Sequence, residues 1–244
     1  MKVINDLLNI NNMKIVQNTK WFSFSLDSIL LANFVKLRNN MKIIDLCTGN
    51  APIPLFLSSR TKNKIIGIEL QHDIYLMAKE SVKINELSDQ IEIKNMDAAK
   101  VNEIYETDTF DLVTCNPPYF KNNTNSKKND VKQKAIARHE LYFNIEKLCI
   151  VSRKILKNNG KLAIVHRTER LSEIINCMIN NNIEPKRLQF IYSFIDSKSN
   201  LVLIEGFKNG KPGIVVEKPI IVHNKNGNYT NEILNIFNGG SYEN

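Results

Sequence analysis

The sequence predicts an α/β protein in which a mostly parallel sheet is covered by helices on both faces. Two observations carry this expectation: strand-sized apolar runs alternate with amphipathic segments, and 43% hydrophobic against 24% charged residues is enough for a packed core. The 244 residues fit one large domain, and no repeat of about 20–50 residues divides them.

Apolar runs at 42–46, 64–70, 91–96, 110–115 and 161–165 each end in polar or turn residues and read as five parallel strands. Helical segments lie between them, such as 72–85 and 145–156. In the second of these, Ile145, Leu148, Cys149, Ile155 and Leu156 share one face at helical periodicity. After the fifth strand the rhythm changes. Residues 171–178 read as helix, then 187–194 and 201–207 as two strands joined by the polar turn 195–200, a hairpin at one edge of the sheet. Two segments are expected to be mobile without dividing the chain: the Lys-rich stretch 121–134 and the Gly, Lys and Pro stretch 206–213. The expected organisation is one domain over residues 1–244, with 1–40 as an N-terminal extension.

A net charge of +8 and a pI near 9.2 favour polyanions or anionic surfaces as partners. No apolar run approaches the roughly 18–20 residues of a membrane span, and the first residues lack the apolar stretch of a signal peptide. A cytoplasmic protein away from membranes is expected. Cys47, Cys115, Cys149 and Cys177 form no CxxC pair and the four histidines no ligand pair, so neither a metal nor a disulfide framework is expected.

The turn Asp45-Leu46-Cys47-Thr48-Gly49-Asn50-Ala51-Pro52 follows the first strand and enters a helix, where a nucleotide-like ligand meets backbone N–H groups. Glu69, twenty residues beyond Gly49, ends the second strand and can accept hydrogen bonds from both hydroxyls of a ribose. Asp97 ends the third and offers an acceptor to an adenine amine. Only Gly49 remains of a GxGxxG pattern, which counts against a dinucleotide and for S-adenosylmethionine, whose small zwitterionic end needs less glycine. Taken alone, the same residues also suit polar strand ends around a tight turn.

Asn116-Pro117-Pro118-Tyr119 follows the fourth strand, beside the first in a 3-2-1-4-5 order and therefore next to the reactive end of such a cofactor. The two prolines hold the loop rigid. An aromatic or amide NH2 is a poor nucleophile because its lone pair is delocalised. The Asn116 side-chain oxygen and the Pro117 carbonyl can each accept one of its hydrogens, and Tyr119 can stack on the planar group.

These residues carry a resemblance. The 45–52 turn, Glu69, Asp97 and the tetrad 116–119 are similar to class I S-adenosylmethionine-dependent amino-methyltransferases of the NPPY type, which include adenine-N6 and release-factor glutamine methyltransferases. Segments 21–32, 135–140, 184–188, 203–206 and 227–230 extend it, so that nearly the whole chain resembles the bacterial tRNA1(Val) adenine-N6 methyltransferases. The resemblance implies a Rossmann-like, seven-stranded sheet in the order 3-2-1-4-5-7-6. It also implies methyl transfer from S-adenosylmethionine, leaving S-adenosylhomocysteine, to N6 of the adenine just 3′ of a tRNA anticodon, position 37. The implied partner is tRNA, with no stable protein partner. It places the N-terminal extension, with Phe24 and Asp27, over the cofactor, and sets Cys47, Asn50, Ala51, Ala98 and Asn116 beside it. Cys47 and Ala51 stand where many methyltransferases have glycine. From its position alone, Asp27 is also a candidate helix N-cap.

An anticodon loop already presents unstacked bases, so a single-stranded target spares the enzyme the cost of opening a duplex. Lys121, Lys127, Lys128, Lys132 and Lys134 make the segment after the tetrad basic and are expected to meet phosphates. Arg138, Lys186 and Arg187, with His166, Arg167 and Arg170, extend that surface as a group. Three alternatives remain at this point: glutamine methylation of a release factor, DNA adenine methylation, and an inactive RNA-binding scaffold. About forty residues precede the first strand, too few for a separate protein-binding domain with its own core.

Overall fold

The structure, a computed structural model, describes residues 2–7, 12–18, 25–117 and 143–239. An antiparallel hairpin of β1 (Lys2–Asp6) and β2 (Lys14–Asn18) opens the chain and is followed by α1 (Leu26–Phe34). Strands and helices then alternate: β3 (Ile43–Leu46), α2 (Pro52–Ser58), β4 (Ile65–Glu69), α3 (His72–Ile84), β5 (Ile91–Asn95) and β6 (Phe110–Cys115). After the undescribed stretch come α4 (Ile145–Ile155), β7 (Leu156–Arg167), α5 (Leu171–Asn180), β8 (Ile183–Tyr192) and β9 (Ser199–Lys208). Two short strands, β10 (Val215–Val216) and β11 (Ile220–Ile221), and α6 (Asn231–Phe237) end the described chain.

The main sheet has the order β10-β8-β9-β7-β6-β3-β4-β5, with β11 also paired to β8. Counted from β3, the strands β3 to β9 stand in the expected order 3-2-1-4-5-7-6, and only β9 runs against its neighbours. The sheet is larger than expected, with nine strands rather than seven. β10 and β11 add themselves in parallel along the outer edge of β8. Two-residue strands carry too little periodicity to be read from sequence.

Side-chain alternation divides the core in two. Ile43, Ile65, Leu112 and Leu203 face α1, α2, α3 and α6, whereas Ile44, Ile68, Val113 and Val202 face α4 and α5. The N-terminal hairpin rests on α3. Val16 N donates to Ser81 Oγ at 2.9 Å, and Lys14 and Asn85 exchange two hydrogen bonds of 2.8 and 2.7 Å. Strand ends differ from expectation where turn-forming residues sit inside strands: β7 starts at Leu156 and runs through Asn158, Asn159 and Gly160. Gly206, expected in a mobile stretch, is strand interior; a Cβ there would lie 2.9 Å from Ile183 Cγ2.

Register fixes the shape of the carboxyl edge. Leu46, Cys115, Ile164, Ile204 and Leu188 are successive cross-strand partners and mark one level. β3 and β6 stop there. β8 continues for four more residues to Tyr192, about 13 Å at the usual strand rise, so the β7–β9–β8 side stands as a wall beside the ends of β3 and β6.

Candidate active site

At the end of β3 the chain makes a turn in which Cys47 (φ 59°), Gly49 (φ 59°) and Ala51 (φ 71°) are all left-handed. Cys47 and Ala51 thus hold a glycine-like conformation that costs roughly 1–2 kcal/mol per L-residue. Local bonds maintain it: Thr48 N donates to the Ile68 carbonyl at 2.8 Å and Ala51 N to the Thr48 carbonyl at 3.0 Å. Gly67 in β4 makes room for Thr48, since a Cβ there would lie 3.0 Å from its Oγ1 and 2.7 Å from Ile93 Cδ1. Pro52, at the first position of α2, fits where no backbone donor is needed.

Asp45 is fully buried beneath this turn. Its two oxygens accept from Thr48 Oγ1 and Thr114 Oγ1, both at 2.6 Å, the second bond crossing from β6 to β3. Burial pushes the Asp45 carboxyl up to about 7; the two hydroxyl donors pull the other way and the Glu69 carboxylate adds to the rise. Glu69, at 6% exposure, accepts from Gly49 N at 3.0 Å through Oε2 and from Gln71 N at 2.8 Å through Oε1. Burial raises its pKa against those backbone donors. Asp97 uses one oxygen to cap the 3-10 turn Ala98–Glu103 by accepting from Ala99 N at 2.8 Å, and Ala98 packs into the core beside it.

Asn50 is buried and donates from Nδ2 to the Val16 carbonyl at 2.8 Å, tying the turn to β2, while its Oδ1 is buried without a partner. Cys47 is half-buried beside the Cys115 thiol, whose pKa is pushed up by burial and by that neighbour.

Asn116 follows β6 directly. Its Nδ2 donates to Ser28 Oγ at 2.9 Å and reaches Ser25 Oγ at 3.5 Å. Both serines belong to the start of α1, where Ser25 occupies the N-cap position and Asp27 lies in the first turn. Asp27 is therefore not the cap, although a carboxylate there still suits the positive end of the helix. The bonds to Ser28 and Ser25 leave the opposite end of the Asn116 amide, Oδ1, to face another group.

The structure thus brings Asp45, Cys47, Gly49, Asn50, Ala51, Glu69, Asp97, Ala98, Asn116 and Pro117 to one edge of the sheet. Phe24, Pro118, Tyr119, Lys121, Lys127, Lys128, Lys132, Lys134 and Arg138 lie outside the described residues. Two basic residues sit elsewhere. Lys186 Nζ donates to the Lys211 carbonyl at 3.0 Å. Arg187, expected to face nucleic acid, is instead committed inside the protein. It pairs with Glu205 at 3.2 Å and Glu217 at 3.0 Å, donates to the Phe34 carbonyl at 2.9 Å and stacks 4.1 Å from the Phe34 ring centroid. A buried Glu205 requires such a partner, and that requirement outweighs any role at the surface. Sequence reasoning missed Ser25, Ser28, Thr48 and Thr114. Thr48 could have been found from its place in the turn; nothing local marks a contact spanning 88 residues, as between Ser28 and Asn116.

A family model described as RNA methyltransferase matches residues 19–205. Among curated relatives, the tRNA1(Val) (adenine(37)-N6)-methyltransferase of Trichodesmium erythraeum is 31% identical over 147 residues, covering 59% of this chain and 60% of that protein. The protein of the same name from Parabacteroides distasonis is 26% identical over 179 residues, covering 73% of this chain and 74% of its own length. Among solved structures, the O-methyltransferase-like protein Atu636 of Agrobacterium tumefaciens superposes with a TM-score of 0.72 at 18% identity, over 89% of this chain and 98% of that one. Geranyl diphosphate C-methyltransferase from Streptomyces coelicolor, solved with S-adenosyl-L-homocysteine, gives a TM-score of 0.53 at 10% identity, over 75% and 77%. At these identities the likeness is one of fold, that of the class I methyltransferases.

Proposed function

This chain belongs to the RNA methyltransferase family, and on that premise we propose that it methylates N6 of an adenine in a tRNA anticodon loop, position 37 of tRNA1(Val). The observation that carries the reading is Asn116. It stands at the end of β6 beside the 45–52 turn, with its Nδ2 held by Ser28 and its Oδ1 left to accept.

The residues at the turn fit S-adenosylmethionine. Glu69, held by the Gly49 and Gln71 N–H groups, offers a carboxylate acceptor to a pair of vicinal hydroxyls. Asp97 retains one oxygen for an amine, and the left-handed turn at Cys47, Gly49 and Ala51 borders the methionine end. When bound, S-adenosylmethionine supplies a methyl group activated by a positively charged sulfur.

The chain's own residues prepare the acceptor. Asn116 Oδ1 accepts one hydrogen of the adenine amine and the Pro117 carbonyl the other, which localises the nitrogen lone pair for attack. Ser28 is a positioning residue. By accepting from Nδ2 it anchors the amide at the start of α1 with Oδ1 on the opposite side. Tyr119 stacks on the base and holds it in line. The lysines at 121, 127, 128, 132 and 134, with Arg138, neutralise phosphates beside the target. Residues 1–40 complete a single domain as an extension over the cofactor.

Incubation with labelled S-adenosylmethionine and total tRNA, followed by mass spectrometry of nucleosides, tests the reading. N6-methyladenosine in an anticodon loop is the expected product. Label on protein instead of RNA points to glutamine methylation and overturns it.

A further inference from the structure

Above the carboxyl edge, two loops meet in a pile of aromatic rings that the reaction itself does not use. The connection between β8 and β9 presents Phe194; the segment after β11 presents His223 and Tyr229. Phe194 and His223 stack with centroids 5.3 Å apart at 30°, and His223 and Tyr229 at 5.1 Å and 21°. Phe237 of α6 closes against Tyr229 edge-on at 5.0 Å and 78°.

Hydrogen bonds within and between the two loops hold the pile in place. At the hairpin tip, Ser197 Oγ donates to the Phe194 carbonyl at 2.8 Å and accepts from Phe194 N at 3.1 Å. His223 N donates to the Ser193 carbonyl at 2.9 Å, which joins the two loops. Asn224 Oδ1 accepts from Asn226 N and Asn228 N at 2.9 and 3.2 Å, and Gly227 takes the left-handed φ of 81° that lets the chain return. His223 and Tyr229 then pair as an antiparallel bridge that sets their rings face to face. The Gly227 to Thr230 segment thus aims Tyr229, while Thr230 caps α6 by accepting from Ile233 N at 3.4 Å.

A cluster serving only the fold would cover its faces. Here Phe194 is 44% exposed, Tyr229 43% and their neighbour Ile195 58%. The position is also informative: β8 and β11 run parallel to β6, so both loops rise on the same edge as Asn116. From β6 to β8 there are three strand spacings, about 14 Å sideways, with the wall standing about 13 Å above. That separation suits bases a few nucleotides along a bound loop rather than the methylated base itself.

We propose that the Phe194–His223–Tyr229 pile is a stacking platform for unpaired bases of the substrate RNA that flank the methylated adenine. Exposed rings at fixed spacing accept any base by its π-face, and Lys198 and Lys225, against Asp196, add a modest positive charge on the same loops. This inference rests on the tRNA reading above and adds to it a second contact, separate from the target pocket.

The test uses the full-length protein with an anticodon stem-loop RNA, whose binding is followed by anisotropy at several salt concentrations. Phe194→Ala and Phe194→Leu are expected to weaken RNA binding roughly tenfold at every salt concentration. Phe194→Trp retains wild-type affinity, and S-adenosylmethionine binding and melting temperature stay unchanged in all three. Lys225→Gln lowers the slope of log affinity against log salt and leaves the aromatic contribution intact. Affinity within twofold of wild type for both Phe194→Ala and Phe194→Leu, in a protein that methylates tRNA, overturns the platform alone. A wild-type protein that labels protein rather than tRNA overturns the function reading itself.

Discussion

The two sides of the carboxyl edge are built on opposite plans. On the β3–β4–β5 side the polar groups are engaged by the protein's own donors. Asp45 engages both oxygens with threonine hydroxyls, Glu69 both with backbone N–H groups, and Asp97 one with the turn it caps. On the β7–β9–β8 side the strands overrun the edge and end in half-exposed rings. A small ligand of constant shape can be met by a preset turn, which limits the loss of freedom on binding. A polymer is met along a surface, where contacts are individually weak and spread out. The difference predicts that substitutions on the first side alter cofactor affinity and stability, those at the junction alter the chemical step, and those on the second side alter RNA affinity.

The largest effect is expected at the junction. Asn116→Ala should lower the single-turnover rate by about 10²–10³-fold, the loss typical of removing one preorganised group that stabilises a transition state. Calorimetry should find cofactor affinity close to wild type; loss of cofactor binding with an unchanged rate at saturation would erase the boundary between the two sides.

Next in size is Glu69→Ala, expected to weaken S-adenosylmethionine binding more than tenfold by titration calorimetry. The same change leaves the Gly49 and Gln71 N–H groups without their partner, at a cost of about 1–3 kcal/mol in denaturant unfolding. Retained RNA affinity in this variant would sharpen the division.

Ser28→Ala is expected to lower kcat about tenfold while KM for tRNA stays constant, because the Asn116 amide then loses its nearest anchor. A change in KM alone would assign Ser28 to packing.

A last effect, on stability rather than on rate or binding, is one of pH. The folded pKa of Asp45 is raised from 3.8 to about 7, so the folded state binds more protons than the unfolded one between those values, and this group makes stability fall as pH rises through that window. His166 acts in the opposite direction. Burial lowers its pKa from 6.5 to about 4, so its contribution makes stability rise between pH 4 and 6.5. The two oppose each other where their windows overlap. Asp45→Asn removes only the falling arm, and its melting temperature relative to wild type should climb from pH 4 to 7 and then level off. A constant difference across that range would show that Asp45 does not titrate as its burial implies.

Much of this division was legible in the sequence, for reasons that differ by element. The central strands were readable because buried parallel strands are short continuous apolar runs, as in 43–46 and 110–115, and their parallel direction followed from the alternation with helices, whereas their full order came with the family resemblance. Asp45, Glu69 and Asp97 were readable because a strand end followed by a turn is where this topology places ligands. The β1–β2 hairpin was not, since β1 is largely exposed and lacks a clean alternation. The overhang of the wall was not, because it depends on register between strands far apart in the chain. Arg187 looked like a surface cation beside Lys186; only the tertiary structure places Glu205, Glu217 and Phe34 around it. Likewise Ser28 reads as one more small residue in a helix until Asn116 is set against it.

The overhang of β8 and β9 has a further consequence for how such an enzyme changes its reach. Because residues alternate between faces, lengthening both strands by one residue would turn Phe194 to the opposite face, whereas two residues in each would lift it by one pleat repeat, about 7 Å, with its orientation intact, and the segment carrying His223 and Tyr229 would have to rise with it for the pile to hold. The height of Phe194 above the edge is therefore adjustable only in discrete steps, and a change of reach requires matched changes in the hairpin and in the segment after β11.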